Sequence, residues 1–509
     1  VTPHDSLELD PGDVVEVRFR GVPGLRARAI LGRQLAAADF TETSGDFTET
    51  ADFMETAVSD SAPAWAWYRA ELRLPRTRPL PAFGAPQPLA IEVARGGEVL
   101  LYTLPQVAVG LRDPAAGPIA LLDDDPARRG DTDGSVVGRT APDGVYFLFL
   151  PNGTRAATGR RTGDLVELRL DDDLSVWAAR ADVHPLPAST PKLESRVPAV
   201  RALDLGRWTR ILIPLETRLP VQVRQRTDPA RYEITVFGAR AAAEFLRYDR
   251  VGGIVRELRW NQPANDRFVL EVELTHGQPW GFRYGYDGND LYLDVRHPPR
   301  LRKGLFGSIL RGVKIVVDPG HSPDPGAVGP TGLAEKDVNL AVGLELAHEL
   351  RERGADVVLT RDAATPPDSG PGLNDRTNLA ASEEADLLVS VHHNALPDGV
   401  NPFESHGTST FHYHPQSLPL ARAIQRELLR ELGLRDLGVA IGNLALARPT
   451  AMPAVLVESA FMMIPEQEEM LRTEQFRRRE ARAIRRGLER FLEKSLDESL
   501  GEMPEESRD

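Results

Sequence analysis

The stretch Ile315-Val-Val-Asp318-Pro-Gly-His321 decides how the C-terminal part of this chain folds. Four residues read as a short buried strand, and the strand runs straight into a polar turn. Working outward, Val338–Arg353 reads as a helix with an apolar stripe, and Ala355–Leu359 as a strand. Asn374–Ser382 reads as a helix, Asp386–Val391 and Thr408–Tyr413 as strands, and Leu418–Leu432 as a helix. Val455–Val457 reads as a further strand and Glu474–Leu492 as the last helix. Strands alternating with helices predict an α/β domain over 312–495, with a mostly parallel sheet flanked by helices. In such sheets, ligand sites gather at the carboxyl ends of the strands.

Those ends carry polar groups. The first strand delivers His321, the loop behind it ends in Gly332-Leu-Ala-Glu335-Lys-Asp-Val-Asn-Leu, and the Asp386–Val391 strand ends in His392-His393-Asn394. Two imidazoles and one carboxylate make a zinc set with a position left for water. Pro453-Ala-Val-Leu-Val-Glu458 places one more carboxylate after a buried strand. A Glu outside the ligand set could pass a proton from water to a leaving amine. Each residue alone has a plainer reading: a His after a strand bonds its own loop, and Glu335 opens a helix as an N-terminal carboxylate.

Taken together, residues 312–493 resemble the zinc-dependent N-acetylmuramoyl-L-alanine amidase family. The matching blocks are Val317-Asp-Pro-Gly-His, Asp324-Pro-Gly-Ala, Gly332-Leu-Ala-Glu-Lys-Asp-Val-Asn-Leu, Ser390-Val-His-His-Asn-Ala and Met452-Pro-Ala-Val-Leu-Val-Glu, in the family's order. The resemblance implies a peptidoglycan hydrolase that cleaves the amide between N-acetylmuramic acid and L-alanine. It implies Zn2+ held by His321, Glu335 and His392, with Glu458 as the catalytic carboxylate. It also implies a periplasmic, cell-envelope or extracellular location. Ser322 stands where the family usually has glycine, and His393 where it usually has a small residue. Neighbouring strand residues face opposite ways, so His392 and His393 cannot both face a metal. His393 and Asn394 are expected to support the ligands or face substrate. Arg361 and Arg376 are candidates for substrate carboxylates, the alternative being arginines that tie their loops. His406, His412 and His414 are expected at strand edges or on the rim of the site. The segment from Asp362 to Asn374 is too short for the occluding helical insertion of some family members, which predicts an open site. Alternative functions are a zinc carboxypeptidase on stem peptides and a catalytically silent wall-binding protein.

Upstream, the patterns are all-β. Residues 1–115 read as a β-sandwich-like module containing the acidic repeat Asp39-Phe-Thr-Glu-Thr, Asp46-Phe-Thr-Glu-Thr, Asp52-Phe-Met-Glu-Thr, taken as a solvated loop. Residues 116–190 carry short strands and tight turns and resemble a small SH3-like β-barrel. Residues 203–298 alternate with period two, as in Phe268-Val-Leu-Glu-Val-Glu-Leu, and resemble the AMIN domain, a β-sandwich associated with the envelope and with peptidoglycan binding. Residues 496–509 read as a disordered acidic tail.

Composition sets outer bounds. The chain has 509 residues and a formal net charge of −14, which excludes a dedicated nucleic-acid binder. It has no cysteine, so thiolate sites and disulfides are excluded and any metal must be held by His and carboxylates. No run of 18 or more apolar residues is present, so no transmembrane helix is predicted. The start at Val1 fits a trimmed product whose export signal is gone. The expected partner is peptidoglycan, and the expected state a monomer.

Overall fold

The computed structural model describes all residues except 1–6, 10–12, 22–24, 32–35, 40, 44–65, 74–86, 96–97, 112–115, 125–133, 250–252, 302–306, 367–368, 398 and 502–509. The second and third copies of the acidic repeat therefore lie outside the described residues, whereas Thr41–Thr43 of the first form a strand paired with Ala66–Arg73 rather than a loop, because the Thr-Glu-Thr alternation suits a strand edge. The chain divides into two compact units, one built on the described residues up to Leu193 and the other on those from Glu194 onward.

The first unit is all-β. Val14–Gly21 buries alternate residues, as its sequence dictates, and Phe19 stacks on Tyr68 of Ala66–Arg73 with ring centroids 4.9 Å apart. The short strand Leu7–Leu9 pairs on one side with Glu98–Leu111 and on the other with Arg155–Thr162. One hydrogen-bonded sheet thus runs through both segments, 1–115 and 116–190, that the sequence reading treats as separate modules. Local alternation reveals strands but not which distant strands they join.

The second unit begins with two sheets. Ser195–Asp204, Trp208–Ile213, Ala239–Asp249, Phe282–Asp287 and Asp290–Arg296 form one, and Val221–Thr227, Ala230–Phe237, Val255–Ala264 and Arg267–Leu274 the other. Their buried alternate residues include Val197, Ile211, Ile234, Leu270 and Val272.

An α/β domain follows. Its strands are β1 (Lys314–Pro319), β2 (Asp356–Leu359), β3 (Leu387–Asn394), β4 (Thr408–His412), β5 (Asp436–Ile441) and β6 (Ala454–Phe461). The sheet order is β2-β1-β3-β6-β4-β5, and only the β4–β6 pairing is antiparallel. The helices are α1 (Glu335–Glu352), α2 (Leu373–Ser382), α3 (Leu418–Leu432), α4 (Pro465–Arg472) and α5 (Glu474–Gly501). Helices α1, α3 and α5 share one core with β1 and β3, through Val342, Leu346, Ile424, Leu428, Ile484 and Leu488. Helix α5 runs past residue 495 to Gly501, because Leu496 continues its apolar stripe against that core. Residues 496–501 are therefore helical rather than tail, while 502–509 lie outside the described residues.

The sandwich is fastened to the α/β domain at the end of the sheet where β1, β3 and β6 begin. Arg296, 1% exposed, donates to Asp386 Oδ1 at 2.8 Å, Glu384 O at 2.8 Å and Ala451 O at 3.1 Å. The other Asp386 oxygen accepts from the Lys314 N–H at 2.9 Å, so one carboxylate joins the start of β1 to the sandwich. Trp280 packs on Phe491 of α5 with centroids 5.4 Å apart. Gly281, at φ 142°, lies so close to the chain that an added Cβ would stand 2.3 Å from Ala451 O. Two stretches that read as successive modules thus form one unit, leaving the carboxyl ends of the parallel strands for the site.

Candidate metal centre

Strand β1 ends at Pro319, and the chain turns at once through His321 (φ 63°) and Ser322 (φ 120°), a left-handed conformation unfavourable for residues with a Cβ. Two buried arginines hold that turn. Arg376 donates to Asp318 Oδ1 at 3.2 Å, Pro319 O at 3.2 Å and His321 O at 3.1 Å. Arg361 donates to Pro319 O at 2.9 Å, Gly320 O at 2.8 Å and Lys336 O at 2.7 Å. Asp318 also accepts from Thr360 and Ser390, each at 2.6 Å. Of the two readings of Arg361 and Arg376, the structure supports loop-tying arginines. Donors of both are used on main-chain carbonyls and, for Arg376, on the buried Asp318.

His321, Glu335 and His392 come together, with one donor atom from each lying within 4.8 Å of the others. Glu335 opens α1 and points back over the strand ends. Its Oε2 lies 3.1 Å from His321 Nε2 and its Oε1 3.0 Å from His392 Nδ1. The backbone N–H groups of Ala327 and His393 donate to the same carboxylate at 2.9 and 3.1 Å. Burial alone would raise the Glu335 pKa. The hydrogen bonds from His321 and His392 outweigh that, and hold the group far below the usual carboxylate range. Burial likewise opposes charge on His321, but Glu335 and Asp324 prevail and raise its pKa. Asp324 Oδ2 lies 3.1 Å from His321 Nδ1, which orients the ring. Two glycines make the room: a Cβ on Gly320 would stand 2.2 Å from the His392 ring, and one on Gly326 2.5 Å from Glu335 Oε2.

Glu458 lies beside this trio on β6, opposite His392 in the β3–β6 register. Its Oε2 is buried without a hydrogen-bond partner. Burial, and then the charge of Glu335, push its pKa well above the ordinary value. A carboxylate oxygen left free on the strand beside His392, close enough to feel the charge of Glu335, suits a site that handles water and protons. The trio also fits zinc: nitrogen and oxygen donors only, three in number, with His321 oriented from outside the set by Asp324.

The adjacent residues divide as strand geometry requires. His392 faces the trio, whereas His393 is buried against Asn339 and Glu480. Asn394 closes β3 and accepts the Met462 N–H at its carbonyl, 2.9 Å away. His406 bonds the Pro402 carbonyl of its own loop at 2.9 Å. His412 and His414 lie at the opposite end of the sheet, where His414 Nε2 is 2.8 Å from Arg448 O and its ring meets Phe282 of the sandwich edge-on. Neither is a rim residue, because β4 runs antiparallel to β6 and so ends where β6 begins. Sequence reasoning missed Glu468, whose buried carboxylate accepts from the Thr331 and Leu333 N–H groups and pins the loop before Glu335. Its only sequence signal is an acid near the start of an amphipathic helix, which says nothing of a partner 137 residues away.

A hydrolase-type α/β domain with a candidate metal centre at its strand ends is thus defined. The sequence profile of the N-acetylmuramoyl-L-alanine amidases matches residues 315–490. The N-acetylmuramoyl-L-alanine amidase LytC of Bacillus subtilis is 36% identical over 178 residues, which are 35% of this chain and 35% of that one. The germination-specific N-acetylmuramoyl-L-alanine amidase of the same organism is 30% identical over 221 residues, 41% of this chain and 86% of that one. Among solved structures, the amidase AmiC2 of Nostoc punctiforme is 31% identical, with 36% of this chain and 97% of that chain covered at a TM-score of 0.33. The chain belongs to the N-acetylmuramoyl-L-alanine amidase family.

Proposed function

We propose that this protein hydrolyses the amide bond between the lactyl group of N-acetylmuramic acid and the L-alanine of peptidoglycan stem peptides, with zinc held by His321, Glu335 and His392. The observation that carries the reading is the free, buried Oε2 of Glu458 beside that trio. A zinc ion bound there supplies Lewis acidity, which acidifies water and polarises the scissile carbonyl. The Ala327 and His393 N–H groups favour the ionised form of Glu335 that this role needs. Arg361 and Arg376 keep His321 at the mouth of the site by fixing the turn that carries it.

Glu458 moves the proton. Its Oε2, which has no other hydrogen-bond partner, takes it from the attacking water and holds it until the amine leaves. The proton then passes to the L-alanine nitrogen as the C–N bond breaks, giving a lactyl carboxylate and a free amino terminus. The substrate places the enzyme in the cell envelope. We read the Ser195–Arg296 sandwich as an AMIN-like wall-binding part, which its two-sheet architecture supports.

Digestion of purified peptidoglycan, followed by product analysis, tests the reading. Free L-alanine amino termini with intact glycan strands are expected, and removal of metal by a chelator should stop their release. Release of D-amino acids from the far end of the stem would instead mark a carboxypeptidase.

A further inference from the structure

Behind the trio lies a polar chain that the proposed reaction does not use. The side chains of His393 on β3 and Glu480 on α5 are both 0% exposed, with His393 Nε2 3.2 Å from Glu480 Oε2. Ser459 Oγ donates to Glu480 Oε1 at 2.6 Å. On the other side, His393 Nδ1 lies 2.7 Å from Asn339 Oδ1. Asn339 Nδ2 in turn donates to Glu335 Oε1 at 3.1 Å and to Gly320 O at 3.2 Å.

The direction of this chain follows from what each group can do. The Glu335 carboxylate and the Gly320 carbonyl only accept, so Asn339 must turn its NH2 toward them and its oxygen toward His393. His393 Nδ1 therefore carries a hydrogen. One further proton between His393 Nε2 and Glu480 Oε2 satisfies the far end, on whichever atom it resides. Every member then has one orientation, and the last link ends on a proposed metal ligand. An imidazole and a carboxylate buried together are expensive to desolvate, and apolar residues could fill the same space. Packing alone does not explain why they are here.

We propose that Glu480, His393 and Asn339 are positioning residues, a relay that holds the Glu335 carboxylate and the Gly320 carbonyl in the arrangement that binds metal. The proposal rests on the reading of Glu335 as a zinc ligand. His393 adds a second hold of its own, because its backbone N–H donates to the same Glu335 oxygen. The relay reaches from α5, 87 residues beyond His393, so the last helix is tied directly to the site.

The test uses the full chain, freed of metal, with zinc affinity measured by competition against a chromogenic chelator. Glu480→Leu and His393→Phe are each expected to weaken zinc binding about 10- to 100-fold, the usual loss when a ligand's support is removed. In the zinc-saturated enzyme, kcat on peptidoglycan fragments should fall while KM holds. The double variant should bind zinc no more weakly than the worse single variant, because both changes break one chain. Glu480→Gln, which can donate to His393 and accept from Ser459, should recover affinity to within a few-fold of wild type. Single variants that bind zinc within about two-fold of wild type, with only the melting temperature lowered, would overturn the relay. So would fully additive losses in the double variant. A wild-type chain that takes up no zinc would overturn the metal reading and the relay with it, a result distinct from wild type and variants binding equally.

Discussion

His392 and Glu458 are direct partners in the parallel pairing of β3 with β6. Parallel register puts paired residues on the same face, so a proposed metal ligand and a carboxylate with one unpartnered oxygen stand side by side on one face of the sheet. The pairing slips between His392 and Asn394, immediately beyond this point, so the regular sheet stops where the site begins.

Arg376 separates two accounts of the arginines. If it held substrate, Arg376→Ala would raise KM and leave metal binding alone. Its hydrogen bonds to Asp318, Pro319 and His321 predict the reverse. Zinc affinity should fall about 10- to 100-fold, with KM little changed. Chelator competition and steady-state kinetics on the same preparation check both halves.

Arg296 carries the join between sandwich and α/β domain. Arg296→Leu removes a buried cation from Asp386, which keeps Arg207 and the Lys314 N–H as partners. Breaking a buried pair typically costs about 3–5 kcal/mol, and the remaining partners place this one near the low end. Urea unfolding should show that loss, and limited proteolysis should cut sooner between the sandwich and β1. Unchanged stability would mean that the join does not depend on this residue.

His414 gives the same join a pH dependence. Burial lowers its pKa to about 4, whereas a histidine in the unfolded chain titrates near 6.5. Between those values the unfolded chain holds the extra proton, so stability rises with pH across the window and falls as pH drops from about 6.5 toward 4. The full effect is about 3 kcal/mol. His414→Gln keeps an N–H for Arg448 O and does not titrate, so its stability profile should be flatter over that window. Melting temperatures of both proteins across the window measure the difference.

The readable part of the site and the hidden part differ in kind. His321 and His392 stand at or near the ends of strands and Glu335 starts a helix, while Glu458 lies inside β6, which runs on to Phe461 past the Val455–Val457 that its apolar run shows. Helix α3 reads from Leu418 to Leu432, the bounds it has in the structure, because its stripe is strong and Gly433 ends it in a left-handed turn. What local patterns cannot show is which partner a side chain finds across the fold. Arg376 binds carbonyls of another loop, Glu468 reaches back to Thr331, and Glu480 meets His393 from the last helix. Arg296 and Asp386 lie in stretches that read as separate modules, so the unit they build is visible only once both are folded.

As proposed, Glu458 moves the proton at a metal site that His321, Glu335 and His392 complete without it. The most direct measurement is Glu458→Gln, with bound zinc quantified and the release of L-alanine amino termini from peptidoglycan followed in parallel. One zinc per chain is expected, as in wild type, with kcat lowered about 10²- to 10⁴-fold. A variant that keeps both its zinc and the wild-type rate would remove Glu458 from the reaction.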